Sequence, residues 1–285
     1  MGHAIGVLGA TGRTGSATTR ALMERGERVR VFCRSPESPK AQQLAAAGAN
    51  VIAADMNDEP SLRIALDGLT RLFSVQPAFD SRGRYQHDVE LAQGAAVASA
   101  AAAVGITHVV QVSAGTAALS GLPHFDSKLT IREGFEKAGI VVTALHPAPF
   151  MELMLDKSFA PALTTWALEP RIVGWDRPLP WVAAHDIGVY AADALTQSIP
   201  PQSHSITLVG DNRSLRSCRA LVTEHLQKKP RRIPIPTRLA RAMLGDDLID
   251  MWHWMAEQDE LPLTDQTRLL DVPGWLEIRS IKAQS

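Results

Sequence analysis

Three glycines near the start of the chain have the spacing of a loop that binds phosphate groups. Gly9, Gly12 and Gly15 form the pattern G-x-x-G-x-x-G between an apolar run, Ala4–Leu8, and a helical pattern, Thr14–Arg25. Glycines let the backbone turn sharply and approach a pyrophosphate, and the free N–H groups of a helix start stabilise its negative charge. This strand–loop–helix context predicts a dinucleotide site; the alternative is a tight turn that holds no ligand.

The end of the second predicted strand, Val29–Cys33, carries a cation where a carboxylate is common. Sites selective for NAD usually place Asp or Glu near this point, where it accepts hydrogen bonds from the ribose 2′-hydroxyl. Here the next residue is Arg34, whose guanidinium would pair with a 2′-phosphate. Lys40 and Arg13 could each add a second positive charge. We therefore expect NADP(H) to be preferred over NAD(H), unless Arg34 is only a solvated arginine at a strand end.

Asp55 follows the third predicted strand, Val51–Ala53. A carboxylate at this place can accept a hydrogen bond from the amino group of an adenine. Equally, Asp55 or Asp58 can cap the helix that follows, because Asp is a favoured N-cap residue. Both interpretations of Asp55 are open at the level of the sequence.

Apolar runs alternate with helical patterns through the first half of the chain, which is typical of a parallel α/β sheet. The six predicted strands are Ala4–Leu8, Val29–Cys33, Val51–Ala53, Leu72–Val75, Val109–Val112 and Val141–Leu145. The helices predicted between them are Thr14–Arg25, Ala41–Ala47, Pro60–Leu66, Tyr85–Ala103 and Leu129–Ala138. The predicted fold class is therefore α/β, a doubly wound parallel Rossmann sheet.

The alternation ends after Pro147, and prolines interrupt the stretch that follows. Two further helices, Ile187–Leu195 and Ser214–Lys228, and two strands, Ser205–Val209 and Ile233–Ile235, are predicted beyond it. We expect a dinucleotide-binding domain over residues 1–154, to which 176–212 returns, and a smaller C-terminal lobe made of 155–175 and 213–285. That lobe is predicted to bind a substrate or a partner near the carboxyl edge of the sheet, where open α/β sheets bind ligands.

Composition and charge exclude several classes of protein. The 285 residues carry a net charge of -1, which gives no electrostatic reason to expect nucleic acid or an anionic membrane as a partner. Two cysteines, Cys33 and Cys218, are too few for a disulfide framework, and no secretory signal or zinc-ligand spacing is recognised. We expect a soluble, cytoplasmic protein without a metal site.

Taken together, these residues resemble the NmrA-like family, atypical members of the short-chain dehydrogenase/reductase superfamily. The resemblance extends over roughly residues 3–236 and is strongest before 155. The segments that carry it are Gly9–Gly15, Arg34, Gly48–Asp58, His124–Lys128, Thr143–Glu152, Asp186–Gly188 and the stretch 214–236. It implies an NADPH-dependent oxidoreductase that transfers hydride to a small carbonyl, quinone or enone. The alternative is a non-catalytic NADP(H)-sensing regulator that binds a protein partner.

Ordinary short-chain dehydrogenases use a Tyr-x-x-x-Lys pair, whose two side chains share one helical face. Here Lys128 occupies the lysine position, but His124 stands in place of the tyrosine. The resemblance implies that Lys128 holds the nicotinamide ribose and that Ser113 holds a substrate carbonyl. His124 departs from the family's pattern, but histidine can be a general acid near neutral pH, so His124 or a water would supply the proton. Lys128 could equally bind the ribose without a chemical role, and His124 could be a loop residue near a helix start.

The missing tyrosine favours the regulator that senses NADP(H). Apolar residues of the C-terminal lobe could line a substrate pocket, which favours the oxidoreductase. The sequence leaves the oligomeric state open. The apolar residues are Phe150, Met151, Trp166, Trp175, Trp181 and Trp252. Asp186 is expected to cap a helix rather than to form a catalytic pair with its neighbour His185. The expected cofactor-binding residues are Gly9, Thr11, Gly12, Arg13, Thr14, Gly15, Arg34, Lys40, Asp55, Met56, Gln76, Pro77, Lys128, Pro147 and Phe150.

Overall fold

The computed structural model describes residues 4–77, 79–80, 84–115, 117–156, 162–264 and 269–284. The chain divides into two compact units, the first made of 1–78, 86–146 and 184–207, the second of 79–85, 147–183 and 208–285. The predicted domain ranges stay a prediction; they differ from these units at residues 79–85, 147–154, 176–183 and 208–212, all of which lie in the second unit.

Strands and helices alternate through most of the described residues. The strands are β1 (Ile5–Val7), β2 (Val29–Cys33), β3 (Asn50–Ala53), β4 (Arg71–Ser74), β5 (His108–Val112), β6 (Val141–Pro147), β7 (Pro178–Trp181), β8 (His204–Leu208) and β9 (Asp211–Ser214). The helices are α1 (Arg13–Glu24), α2 (Pro39–Ala46), α3 (Glu59–Leu66), α4 (His87–Ala103), α5 (Pro123–Lys137), α6 (Ala184–Thr196), α7 (Leu215–Leu226), α8 (Thr237–Leu244), α9 (Asp246–Glu257) and α10 (Val272–Gln284). Short helical turns lie at Met151–Met154, Thr164–Leu168 and Glu169–Ile172.

Seven strands form one parallel sheet in the order β3-β2-β1-β4-β5-β6-β8. Val7 of β1 lies opposite Val31 of β2 and Phe73 of β4, so β1 and β4 are neighbours although two strands separate them in sequence. This is the doubly wound order in which ligands bind outside the carboxyl ends of the strands, where the order reverses. The predicted Rossmann fold is confirmed, and the strand predicted at Ser205–Val209 joins the sheet as β8.

The helices of the first unit approach the sheet and each other closely because small residues lie at their contacts. A Cβ on Gly94 of α4 would lie 2.4 Å from Ile131 Cγ1 of α5, so only glycine permits this approach. A Cβ on Gly188 of α6 would lie 2.5 Å from the carbonyl carbon of Ala17 in α1. As a result, the first turns of α4 lie beside α5, where the site residues are found.

The starts of two helices, α5 and α6, differ from their prediction. Helix α5 begins at Pro123, ahead of the segment Leu129–Ala138 that was predicted to lie in it, because proline fits the first turn and the Asp126 carboxylate accepts a hydrogen bond from the Ser120 N–H at 2.8 Å. The predicted cap, Asp186, instead lies buried inside α6, which begins at Ala184.

In the second unit, the strand predicted at Ile233–Ile235 is wrong, since those residues have no regular secondary structure. Pro234 and Pro236 lack the N–H groups that a strand ladder needs. Conversely, β7 contains Pro178 and Pro180 and was not predicted, yet it pairs antiparallel with β9. A two-stranded ribbon tolerates proline because one side of each strand makes no ladder hydrogen bonds.

Four of the apolar residues expected to line a pocket are core residues of the second unit. Met151, Trp166, Trp181 and Trp252 are each at most 3% exposed. The indole N–H of Trp181 donates to the Arg213 carbonyl at 2.9 Å, as a buried tryptophan requires. Among the described residues, no helix combines the length and the apolarity needed to cross a bilayer.

His108, the first residue of β5, is fully buried, and burial together with the nearby charges of Arg71 and His204 lowers its pKa to about 4. Its Nε2 lies 3.0 Å from the Thr143 hydroxyl. Since the unfolded chain takes up a proton near pH 6.5, the folded state is favoured fully above that pH and loses stability as the pH falls toward 4.

We therefore expect the His108→Gln variant to lose part of the acid sensitivity of folding. The difference of roughly 2.5 pH units corresponds to about 3 kcal/mol in the free energy of unfolding between pH 6.5 and 4. Urea unfolding at several pH values measures it. The control is His253→Gln, which removes an exposed histidine; equal pH dependence in both variants would contradict the prediction.

Candidate functional site

The turn from β1 into α1 can be built only with glycine at two positions, one in the loop and one in the first turn of the helix. Gly9 has a φ of +65°, and a Cβ there would lie 2.5 Å from Val75 Cγ1. A Cβ on Gly15 would lie 2.3 Å from the carbonyl oxygen of Gly9. The Gly12 N–H donates to that same oxygen at 2.9 Å, which closes the turn. The glycines therefore bring the start of α1 against the end of β1.

The start of α1 has the features of an anion site. Its N-cap is Gly12, which has no side chain to cap the first turn, and the first turn contains no acidic residue. The first N–H groups of a helix have no partner within the helix and attract anions. Thr11 is half-buried in the loop, Thr14 is buried in the first turn and Arg13 is exposed. A pyrophosphate fits this cradle.

Two exposed cations follow β2. Arg34 comes directly after the strand, and Lys40 lies in the first turn of α2. Neither side chain forms a salt bridge among the residues that the structure describes. Burial raises the pKa of the neighbouring Cys33 thiol, so the cysteine carries no negative charge that would compete with a phosphate.

The two aspartates after β3 have different roles. Asp58 is the N-cap of α3, since its carboxylate accepts from the Ser61 N–H at 3.2 Å. Asp55 instead accepts from the Asn57 N–H at 3.0 Å and from the Asn57 side chain at 2.9 Å. Asp55 is thus not the helix cap, and its carboxylate is held at the end of the strand. The next residue, Met56, packs against the core of the first unit.

Gln76 lies just beyond the end of β4, at the point where the strand order reverses. It is 2% exposed, and its side-chain amide donates to the Ser74 hydroxyl at 2.9 Å. Its Oε1 is buried and accepts no hydrogen bond from the described residues. A buried acceptor of this kind is costly unless a donor reaches it, so a donor group of a ligand fits here. Pro77 follows and is exposed.

Lys128 is buried in a network that the sequence did not indicate. Its Nζ forms a salt bridge with the carboxylate of Glu90 in α4 and donates to the Gln76 carbonyl at 3.3 Å. The Ser127 hydroxyl donates to the second carboxylate oxygen of Glu90 at 2.6 Å. Lys128 is 5% exposed and Glu90 is 0% exposed. The available signal was Glu90 itself, a carboxylate four residues before Gly94 on the buried face of an alanine-rich helix.

His124 lies in the first turn of α5 and not in the loop that precedes it. It is 5% exposed and four residues before Lys128, so both side chains belong to one helical face. Its ring meets the Phe125 ring edge-on, with centroids 4.4 Å apart. Phe125 in turn packs on Gly115, where a Cβ would lie 2.0 Å from the phenyl ring.

Ser113 follows β5 and is 5% exposed, and its N–H donates to the Leu145 carbonyl at 2.7 Å. The next residue is held by a histidine that was not predicted. His146 Nδ1 lies 3.3 Å from the Ala114 carbonyl, and its Nε2 lies 3.3 Å from the Ser205 hydroxyl. Burial lowers the pKa of His146, so the neutral imidazole positions this loop.

The remaining predicted residues belong to the second unit. Pro147 is the last residue of β6 and is grouped with that unit, as is Phe150, which forms a bridge with Val182. The structure thus brings the glycine loop, Gln76, Lys128 and His124 into one unit and assigns Pro147 and Phe150 to the other. Within the described residues, no three His, Cys, Asp or Glu side chains are grouped so that they could hold a metal ion.

Comparison with known proteins gives consistent matches. The model of the NmrA-like family matches residues 1–272. The NmrA-like family domain-containing oxidoreductase himF of Aspergillus japonicus is 32% identical over 182 residues, which are 60% of this chain and 54% of that protein. The chain therefore spans about half the length of this curated relative.

Two solved structures share the fold. The NADPH-dependent quinone oxidoreductase QOR2 of Escherichia coli, complexed with NADPH, is 21% identical and covers 97% of this chain and 99% of its own, with a TM-score of 0.73. The negative transcriptional regulator Nmra, in complex with NAD, is 18% identical and covers 99% of this chain and 97% of its own, with a TM-score of 0.72. At these identities the likeness concerns the fold alone.

Proposed function

The chain belongs to the NmrA-like family, and from this premise we propose that it is an NADPH-dependent oxidoreductase acting on a small carbonyl, quinone or enone. The observation that carries the proposal is the position of Lys128. A buried ammonium reaches the Gln76 carbonyl just after β4, in the same unit as the glycine loop that follows the neighbouring strand β1. Cations are rarely buried without a function or a partner, and this one lies where such sheets bind ligands.

Each residue has a distinct task in the proposed reaction. The glycine loop and the start of α1 hold the pyrophosphate. Arg34 and Lys40 form ion pairs with the 2′-phosphate. Lys128 holds the ribose hydroxyls next to the nicotinamide, and the buried Gln76 Oε1 accepts from a ligand donor. When bound, NADPH supplies the hydride that reduces the substrate.

The reduction of a carbonyl needs a proton in addition to the hydride. A carbonyl that receives hydride becomes an alkoxide, which must take up one proton to become the alcohol. His124, on the same helical face as Lys128, donates that proton, and Ser113 holds the carbonyl oxygen. A histidine side chain can serve as a general acid in such a step.

The proposal is tested by turnover. Purified protein is mixed with NADPH, and the absorbance at 340 nm is followed over a panel of quinones, enones and aldehydes. We expect oxidation of NADPH that depends on at least one substrate. Tight binding of NADPH without turnover of any substrate would overturn the enzyme and support the alternative, a regulator that senses the dinucleotide; the structural likeness to Nmra is the observation that favours it.

The preference for NADPH is expected to depend on Arg34. The Arg34→Ala variant should bind NADPH about 10- to 100-fold more weakly and NADH about as well as the unaltered protein, because a bidentate guanidinium–phosphate contact is lost. Calorimetric titration with both dinucleotides measures this. The matched control is Arg20→Ala, an exposed arginine of α1; an equal loss for NADH and NADPH would contradict the assignment of Arg34 to the 2′-phosphate.

A further inference from the structure

We propose that Glu90 is a positioning residue of the reductase: its carboxylate, held by Ser127, fixes the direction in which the Lys128 ammonium presents its remaining N–H to the ligand. The inference rests on the proposed function, since it concerns the same site. A lysine ammonium has three N–H groups, and two of those of Lys128 are engaged, one by Glu90 and one by the Gln76 carbonyl.

A lysine side chain has four rotatable bonds, so its ammonium has no direction of its own. Here two acceptors from two different elements, α4 and the segment after β4, fix two N–H groups, and the third is left for a hydroxyl of the ligand. The backbone of Lys128 is fixed as well, because the Gln111 amide of β5 donates to its carbonyl at 2.9 Å. The head and the base of the side chain are therefore both held.

The carboxylate is itself held in place. Ser127 donates to its Oε2 at 2.6 Å, so Glu90 cannot turn away from Lys128 without losing a buried hydrogen bond. The close approach of α4 and α5 at Gly94 and Ile131, one turn further along, makes the distance between the two helices short enough for this contact. Glu90 is fully buried, which removes the competition of water for the salt bridge.

The negative charge of Glu90 has a second consequence. Both groups are buried, so the Glu90 carboxylate offsets part of the cost of removing the Lys128 ammonium from water. The one N–H group that remains is a charge-assisted donor to a hydroxyl of the ligand. Glu90 thus acts on the ligand only through Lys128 and does not touch it.

The test compares Glu90→Gln, which keeps the shape and removes the charge, with Glu90→Asp, which keeps the charge. The matched control is Asp88→Asn, the same change of charge at an exposed carboxylate of the same helix. With a quinone found in the turnover panel, Glu90→Gln should lower kcat about 10- to 100-fold, because a shift of the Lys128 ammonium by about an ångström can slow a reaction by a factor of this size. The Kd for NADPH should change less than about threefold, since most affinity comes from the phosphate contacts.

Glu90→Asp should recover part of the lost kcat, and Asp88→Asn should leave kcat unchanged. The inference is overturned if Glu90→Gln and Asp88→Asn have the same kcat, or if Glu90→Asp is as slow as Glu90→Gln, which would indicate packing rather than charge. If Glu90→Gln does not fold, Ser127→Ala provides the test, since it frees the carboxylate without removing a charge, and it should lower kcat by a smaller factor at an unchanged Kd for NADPH.

A readout independent of turnover separates this inference from the proposed function. Acetylation of lysines by an amine-reactive ester, followed by mass spectrometry, should be slow at Lys128 and faster at Lys137, whose side chain is 77% exposed. Glu90→Gln should accelerate acetylation of Lys128 several-fold, whereas Glu90→Asp and Asp88→Asn should not. If the unaltered protein turns over no substrate but this pattern of acetylation is found, the proposed oxidoreductase activity is wrong, whereas the proposal that Glu90 positions Lys128 stands. If Lys128 is acetylated as fast in Glu90→Asp as in Glu90→Gln, the proposal that Glu90 positions Lys128 is wrong.

Discussion

The Gly15→Ala variant is expected to lose binding of the dinucleotide, with Kd for NADPH raised at least about 100-fold, or about 2.7 kcal/mol. The reason is steric and concerns only the backbone. The added Cβ would lie 2.3 Å from the Gly9 carbonyl oxygen and 2.9 Å from the Ala10 Cα, neither of which can rotate away. The loop must move off α1, and the N–H groups that are proposed to bind the pyrophosphate move with it. Overpacking of this kind also lowers stability, by about 1–3 kcal/mol.

A second glycine provides the control for this substitution. A Cβ on Gly134, in α5, would meet only the Ala98 Cβ at 3.9 Å, an ordinary contact. Gly134→Ala should therefore raise the free energy of unfolding by up to about 1 kcal/mol through helix propensity and leave binding of NADPH unchanged. Titration with NADPH and urea unfolding of both variants measure the two effects. If Gly15→Ala binds NADPH as tightly as Gly134→Ala, the glycine loop is not the pyrophosphate site.

The second large effect is expected at the buried ion pair. Lys128→Met leaves the Glu90 carboxylate fully buried without its counter-ion, which costs about 3–5 kcal/mol in the free energy of unfolding. Replacing both charges, in Glu90→Gln with Lys128→Met, should recover a large part of that loss, because no charge is then buried without a counter-ion. A double-mutant cycle by urea unfolding measures the coupling. Turnover should stay absent in the double variant even where stability returns.

An exposed pair of the same type serves as the reference. Lys137 and Glu133 are four residues apart at 3.0 Å, with side chains that are 77% and 60% exposed. Lys137→Met should leave the unfolding midpoint unchanged, since solvent screens such a pair. The prediction for Lys128 fails if its substitution is tolerated as well as that of Lys137, because the buried pair would then contribute nothing to folding.

The residues proposed to bind the nucleotide could be identified from the sequence because their signals are local. The spacing of Gly9, Gly12 and Gly15 depends on a single turn between one strand and one helix, and Arg34 depends only on the end of β2. Both are set within a few residues of sequence, where backbone freedom and charge are visible. The alternation of apolar runs likewise predicted the doubly wound sheet, and six strands were placed within one or two residues of their ends.

Other elements could not be predicted because contacts distant in sequence override local preference. Pro178 and Pro180 argue against a strand, yet pairing with β9 forms β7. Ile233–Ile235 was predicted to be a strand, yet Pro234 within it and Pro236 after it lack N–H groups, and it pairs with no strand among the described residues. For Asp55 and Asp58, only the hydrogen bond to the Ser61 N–H decided which carboxylate caps α3.

The sequence by itself therefore determined the fold class, the glycine loop and the cation after β2, because each depends on neighbouring residues. The tertiary structure alone decided what Lys128 meets. Glu90 is 38 positions earlier in the chain, and only the close packing of α4 on α5 at Gly94 brings its carboxylate to the ammonium. Burial then strengthens the salt bridge between the two groups, because water no longer competes for either of them.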